Sequence, residues 1–269
     1  MRLIGLLTAL LLPSYLHAGS SGNPLEIELI SESRGIMAGK PISLGLRLAH
    51  PAGTHTYWKN PGIVGVGTTV QWDLPPGFHA GEIQWPAPRI VKMAGHEAQG
   101  YTGETLLMIQ VTPPPFLADE AVTLTAKVSW MCCGKICSPA VSIPFSITLP
   151  VTRQVEVAAA AQPLFEKYRA LIPRHDPAWR THVKREGKYI LLTLVPPSSV
   201  QDPGDIHFFT ADGQVDSSQK QAVEIRPDGT IRMMLTPAET GPQHAATLPG
   251  VVSFSNGTLP FHLEIEPGY

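Results

Sequence analysis

The sequence predicts an all-β protein: an immunoglobulin-like β-sandwich, a short helical linker and a second, smaller β-domain. Short runs in which apolar and polar residues alternate recur along the chain, 27 Pro and 24 Gly punctuate its 269 residues, and a helical pattern occurs in one place. Period-two alternation buries one face of a strand and wets the other. Many short strands divided by Pro- and Gly-rich turns are typical of sandwiches and barrels.

The chain opens with Met1-Arg2, followed by an apolar run from Leu3 to Leu12 broken by Gly5 and Thr8. Pro13 and Ser14 end the run, and Leu16-His-Ala18 offers a small residue for cleavage. That pattern predicts a signal peptide over 1–18. The apolar run is about half the ~20 residues that a spanning helix needs, and no cysteine lies near the cleavage point to carry a lipid. The expectation is an exported, soluble protein without membrane insertion after cleavage, in a compartment where disulfides persist.

The first domain is expected over 19–150. Leu25, Ile27 and Leu29 alternate with Glu26 and Glu28, and Ile42, Leu44, Leu46 and Leu48 alternate with Ser43, Gly45 and Arg47. Further strands are expected at Thr69–Leu74, Glu82–Trp85, Thr105–Val111, Val122–Trp130 and Val141–Leu149. Turns fall at Pro75-Pro-Gly77, Pro86 with Pro88, and Pro113-Pro-Pro115. About seven strands at this spacing suit an immunoglobulin-like sandwich. The linker is expected over 151–175: Val155–Ala161 is alanine-rich, and Pro163 suits the first turn of a helix through Phe165, Tyr168 and Leu171 to Pro173. Strands return in a second domain over 176–269, at Tyr189–Val195, Ile206–Thr210, Ile231–Thr236, Val251–Phe254 and Phe261–Ile265. Ala211-Asp-Gly213 and Pro227-Asp-Gly229 mark turns between them.

Charged residues make up 16% of the chain and the net charge is −2, with no basic stripe to follow phosphates, so nucleic acid is not an expected partner. Gly62-Ile-Val-Gly65-Val-Gly67 has the wrong glycine order for a dinucleotide loop and precedes no helix. His79 and His96 are isolated, His55 reads as a polar residue at a strand end, and Trp58, Trp72 and Trp85 read as core. No cofactor is implied.

The chemistry concentrates in Trp130-Met-Cys-Cys-Gly-Lys-Ile-Cys-Ser-Pro139, which holds all 3 cysteines between two expected strands. Sulfurs so close can exchange a disulfide or share a soft metal. Val122, Leu124, Ala126, Val128 and Trp130 alternate inward, a phase that sends Cys132 to the core and Cys133 to the solvent side. A bridge between adjacent Cys132 and Cys133 would strain the peptide that links them. Cys133 and Cys137 are spaced to pair across a tight loop. A bulge at the tip would flip the phase and favour Cys132–Cys137 instead. Gly134 frees the loop, and Lys135 lies between Cys133 and Cys137, where its charge favours a thiolate. A staple over so short a loop removes little chain entropy, which favours redox use over stability. Two other roles are a copper(I) carrier using Cys132, Cys133 and Cys137, with Met131 nearby, and a structural adaptor with a static disulfide.

Five strings occur in an order that resembles the N-terminal periplasmic domain of the DsbD family, in the branch with ScsB-type copper-tolerance proteins. They are His55-Thr-Tyr-Trp-Lys-Asn-Pro-Gly62, Thr68 to Phe78, Gln84-Trp-Pro-Ala-Pro88, Gly100-Tyr-Thr-Gly-Glu104 and Trp130 to Pro139. The likeness spans about Leu25 to Leu149, and Ile206-His-Phe-Phe209 with Asp212-Gly213 and Asp216 extends it weakly into the second domain. It implies a periplasmic thiol-disulfide oxidoreductase of the protein-disulfide reductase type, with Cys133 and Cys137 as the catalytic pair. A loop over about Met93–Tyr101 is expected to shield it, with Met93, His96 and Tyr101 as its markers. The implied partners are a membrane electron-transfer protein, a thioredoxin-like periplasmic protein, or both, together with exported disulfide-containing clients. The family's transmembrane and thioredoxin-like domains are not in the sequence, and Cys132 is additional to the family pattern.

Overall fold

The structure, a computed structural model, describes residues 25–93, 95–197, 203–255 and 261–269. The expected signal peptide lies outside them. Among the described residues the chain forms β1 (Glu26–Ser31), β2 (Ile42–Ala49), β3 (Thr56–Tyr57), β4 (Thr69–Asp73), β5 (His79–Gln84), β6 (Arg89–Met93), β7 (His96–Tyr101), β8 (Glu104–Thr112), β9 (Ala121–Cys133) and β10 (Cys137–Pro150). Helix α1 (Gln162–Arg169) follows. Then come β11 (Arg180–Glu186), β12 (Tyr189–Val195), β13 (Asp205–Thr210), β14 (Ala222–Ile225), β15 (Ile231–Leu235), β16 (Gly250–Ser255) and β17 (Phe261–Ile265). The fold is all-β, as expected, with one short helix among the described residues.

Two sheets, ordered β1-β2-β8-β5 and β10-β9-β4, form the immunoglobulin-like sandwich. Its core joins Leu44, Leu46 and Leu48 of β2 and Leu107 and Ile109 of β8 to Leu124, Ala126, Val128 and Trp130 of β9. Each fully buried Leu or Ile here contributes about 1.5–3 kcal/mol through burial. The alternation is clean on β9 because its other face is half open to solvent. Strand β8 is instead apolar on both faces: Leu106 and Met108 turn away from the sandwich and pack on Phe165 and Tyr168 of α1. Gly45 permits that approach, since a Cβ there would lie 2.6 Å from Leu106 Cδ1. The helix stops at Arg169, short of Pro173, and its end tightens with Leu171 N–H donating to the Tyr168 carbonyl.

Strand β10 carries Pro139, Pro144 and Pro150 and lies at a sheet edge, where a missing N–H costs no ladder bond. Its register with β9 shifts between Ala140 and Ile143, and Ser142 sits there at φ 54°. The irregularity falls short of the tip, so the inward phase of β9 is kept through Cys132.

The smaller β-domain pairs sheets β11-β12-β15-β14 and β13-β16-β17 around Ile190, Leu192, Leu194, Phe208, Met233 and Val252. Strands β11 and β14 were not legible in the sequence. Both are mostly exposed sheet edges held by backbone pairing: β11 is polar, and β14, Ala-Val-Glu-Ile, is four residues long and exposed throughout.

A fifth sheet, β3-β7-β6, was also unexpected. The stretch read as a shielding loop is a β-hairpin, with Met93 opposite His96 and Gly95 at φ 87° in its turn. Its signature is weak because β7, His-Glu-Ala-Gln-Gly-Tyr, has little β-propensity of its own.

Candidate functional site: a capped disulfide at a hairpin tip

Cys133 and Cys137 end β9 and begin β10, directly opposite each other in the ladder, and their sulfurs are bonded. The N–H and carbonyl of Cys133 point away from β10: they exchange hydrogen bonds with His55, each 2.9 Å. Cys133 therefore faces Cys137 as a non-hydrogen-bonded pair, the arrangement that brings cross-strand side chains closest. Their Cα atoms are 4.0 Å apart.

Cys133 is fully buried, not on the solvent side where simple alternation puts it. The small β3-β7-β6 sheet covers that face. Cys133 packs with Tyr57, Val91 and Ala98, and Val64, Met93, Met131 and Cys137 border the cluster. Met93 Sδ is 3.6 Å from Cys137 Sγ. Cys137 is only partly buried, the more open of the two. The other two markers of the shield lie elsewhere. His96 is exposed at the hairpin turn. Tyr101 is buried in the sandwich core, donates to the Pro86 carbonyl at 2.7 Å and stacks on Trp85.

Cys132 is a free, buried thiol in the sandwich core, on the face of β9 opposite Cys133. The three sulfurs are thus split between two apolar clusters. Burial pushes the Cys132 thiol above its ordinary pKa, and a hydrogen bond with Thr54 works against that shift.

Around the pair stand side chains that spacing did not single out. His55 and Tyr57 are buried, and the His55 Nε2 to Tyr57 hydroxyl distance is 3.2 Å. Burial lowers the His55 pKa and raises that of Tyr57. His50 sits between the Gly103 carbonyl at 2.6 Å and Thr56 Oγ1 at 2.9 Å, and burial lowers its pKa as well. For all three rings burial favours the neutral form. Gly65, at φ 101°, lets its loop cross the Tyr57 ring, where a Cβ would lie 2.3 Å from a ring carbon. At the rim, Ile136 at the tip and Ile63 and Val66 in that loop are exposed.

Residues 28–148 match the family model for the N-terminal part of the thiol:disulfide interchange protein DsbD. This part of the chain is a DsbD N-terminal domain. Along its length the chain also resembles the N-terminal periplasmic domain of ScsB from Proteus mirabilis, with 14% identity, 96% of each chain covered and a TM-score of 0.62. That likeness shows that both share a fold extending beyond the DsbD N-terminal segment through the second β-domain. Spo0M, a sporulation control protein from Bacillus subtilis, aligns over 91% of each chain at 9% identity, with a TM-score of 0.24. No curated protein sequence matches the chain. The DsbD N-terminal domain here is a thiol-disulfide interchange module, and no helix among the described residues is long and apolar enough to cross a membrane.

Proposed function

We propose that the protein is an exported, periplasmic module that relays reducing equivalents through Cys133 and Cys137 to disulfide-containing clients. The division into a signal peptide (1–18), an exchange domain (19–150), a linker (151–175) and a second β-domain (176–269) belongs to the same reading. One observation carries it: a disulfide at a hairpin tip in which Cys133 is buried under a small covering sheet while Cys137 is only partly buried. A donor thiolate, from a thioredoxin-like protein or a membrane electron-transfer protein, attacks Cys137 Sγ. The Cys133 sulfur leaves as a thiolate and takes up a proton. The donor's second thiolate then breaks the mixed disulfide, leaving Cys133 and Cys137 as two thiols and the donor oxidised. The same two electrons and two protons pass to a client by the reverse steps. Exposed Ile136, Ile63 and Val66 provide an apolar rim for a protein partner.

Alkylation and mass spectrometry across a graded series of glutathione potentials test this. The expected result is reversible conversion of the Cys133–Cys137 bond to two thiols within the range of periplasmic donors. Resistance throughout that range would identify a static staple. Cys133→Ala is expected to abolish exchange.

A further inference from the structure

Strand β7 has two working faces. Ala98 packs on Cys133, while the next side chain, Gln99, turns the opposite way and is fully buried against the second β-domain. There the Thr210 carbonyl, at the end of β13, accepts from Gln99 Nε2 at 3.1 Å and from Asn60 Nδ2 at 2.8 Å. Gln99 Nε2 also donates to the Asn60 carbonyl at 2.8 Å. Two donors fill both acceptor positions of one carbonyl, and each amide would lose a buried partner if the seam parted. Phe209 and Val251 of the second domain are members of the sandwich core cluster, so an apolar contact backs the polar one. The loop that crosses Tyr57 is fitted to the same partner: a Cβ on Gly62 would lie 2.1 Å from Ser217 Oγ.

We propose that the second β-domain is the positioning element of the redox site: through Thr210 it holds Gln99 and Asn60, and so keeps strand β7 closed over Cys133. The cap lifts only when this seam loosens, and access to Cys133 is governed from the second domain. The inference rests on the exchange reading for its purpose, but not for its test.

The test uses the full chain, chemically reduced, and iodoacetamide as a small thiol probe, with alkylation of each cysteine followed by mass spectrometry. Gln99→Met keeps the length of the side chain and removes both donors. Ser217→Phe wedges the seam from the second domain without altering a cap residue. Losing a buried hydrogen bond moves an opening equilibrium by about tenfold, so Cys133, the buried member of the pair, should react about tenfold faster in Gln99→Met and faster than in the parent in Ser217→Phe. The rate at Cys132, on the other face of β9, should stay as in the parent. An unchanged rate at Cys133 in a folded variant overturns the proposal. So does an equal rise at Cys132 in both variants, which would assign the effect to general loosening. Since no protein donor takes part, failure of the exchange function and failure of the seam give separate results.

Discussion

Adjacent cysteines on one strand face opposite ways, and that alone separates their chemistry. Cys132 behaves as a small apolar side chain in the sandwich core, where burial keeps it a thiol. Cys132→Ala is therefore expected to leave exchange intact and cost about 1 kcal/mol, as for other small core truncations, measured by denaturant unfolding. A loss of exchange in that variant would give Cys132 a part in the chemistry. Cys133 differs through what lies over it. Tyr57, Val91 and Ala98 turn the outward side of a strand into an interior.

The element that does this is the β6–β7 hairpin, and its fit to β3 depends on Gly100. A Cβ on Gly100 would lie 2.1 Å from the Thr56 carbonyl oxygen, which is backbone and cannot swing aside. Gly100→Ala should therefore prise β7 from β3. The expected cost is about 1–3 kcal/mol, as for other overpacked sites, read as a lower unfolding midpoint. Hydrogen exchange should speed at Tyr57 and Tyr101, and little along β1, β2 and β8. Equal loss of protection in both sheets would mean that the cap and the sandwich unfold as one unit. Trimming the hairpin wholesale is a poorer test, since Val91 and Ala98 are core residues.

Across the whole molecule, stability should fall in mild acid, and the second domain supplies the reason. Burial lowers the pKa of His207 and of His262 to about 4, and for His262 the nearby Arg89 of β6 acts in the same direction. Gln221 Nε2 stands 3.3 Å from His207 Nε2, and His262 Nδ1 lies 2.9 Å from Ser253 Oγ. In the unfolded chain each ring takes up its proton near pH 6.5, whereas in the fold it does so only near pH 4. The contribution is present above pH 6.5 and is lost as pH falls towards 4, reaching roughly 3 kcal/mol for His207 and less for the more solvent-screened His262. Urea unfolding between pH 7 and 4 should show this slope, and His207→Gln and His262→Gln should each flatten it. A slope unchanged by both substitutions would assign acid sensitivity to other groups.

Periodicity alone marks the strands whose side chains alternate over an open and a closed face. Strands β2 and β9, the helix through Phe165 and Tyr168, and the inward place of Cys132 were all legible from periodicity. The gathering of cysteines also marked the site, because reactive sulfurs must be near one another to exchange. Which face is covered depends on how distant segments pack. Cys133 lies inside because a strand of ordinary polar residues, His96 to Tyr101, is held over it by backbone pairing and by a distant carbonyl. Periodicity reports the side chain's own burial preference; it carries no record of what another part of the chain lays on top. The roles of Asn60, Gln99 and Thr210 were hidden for that reason: their meaning is a set of contacts between residues as much as 150 positions apart, which no local pattern contains.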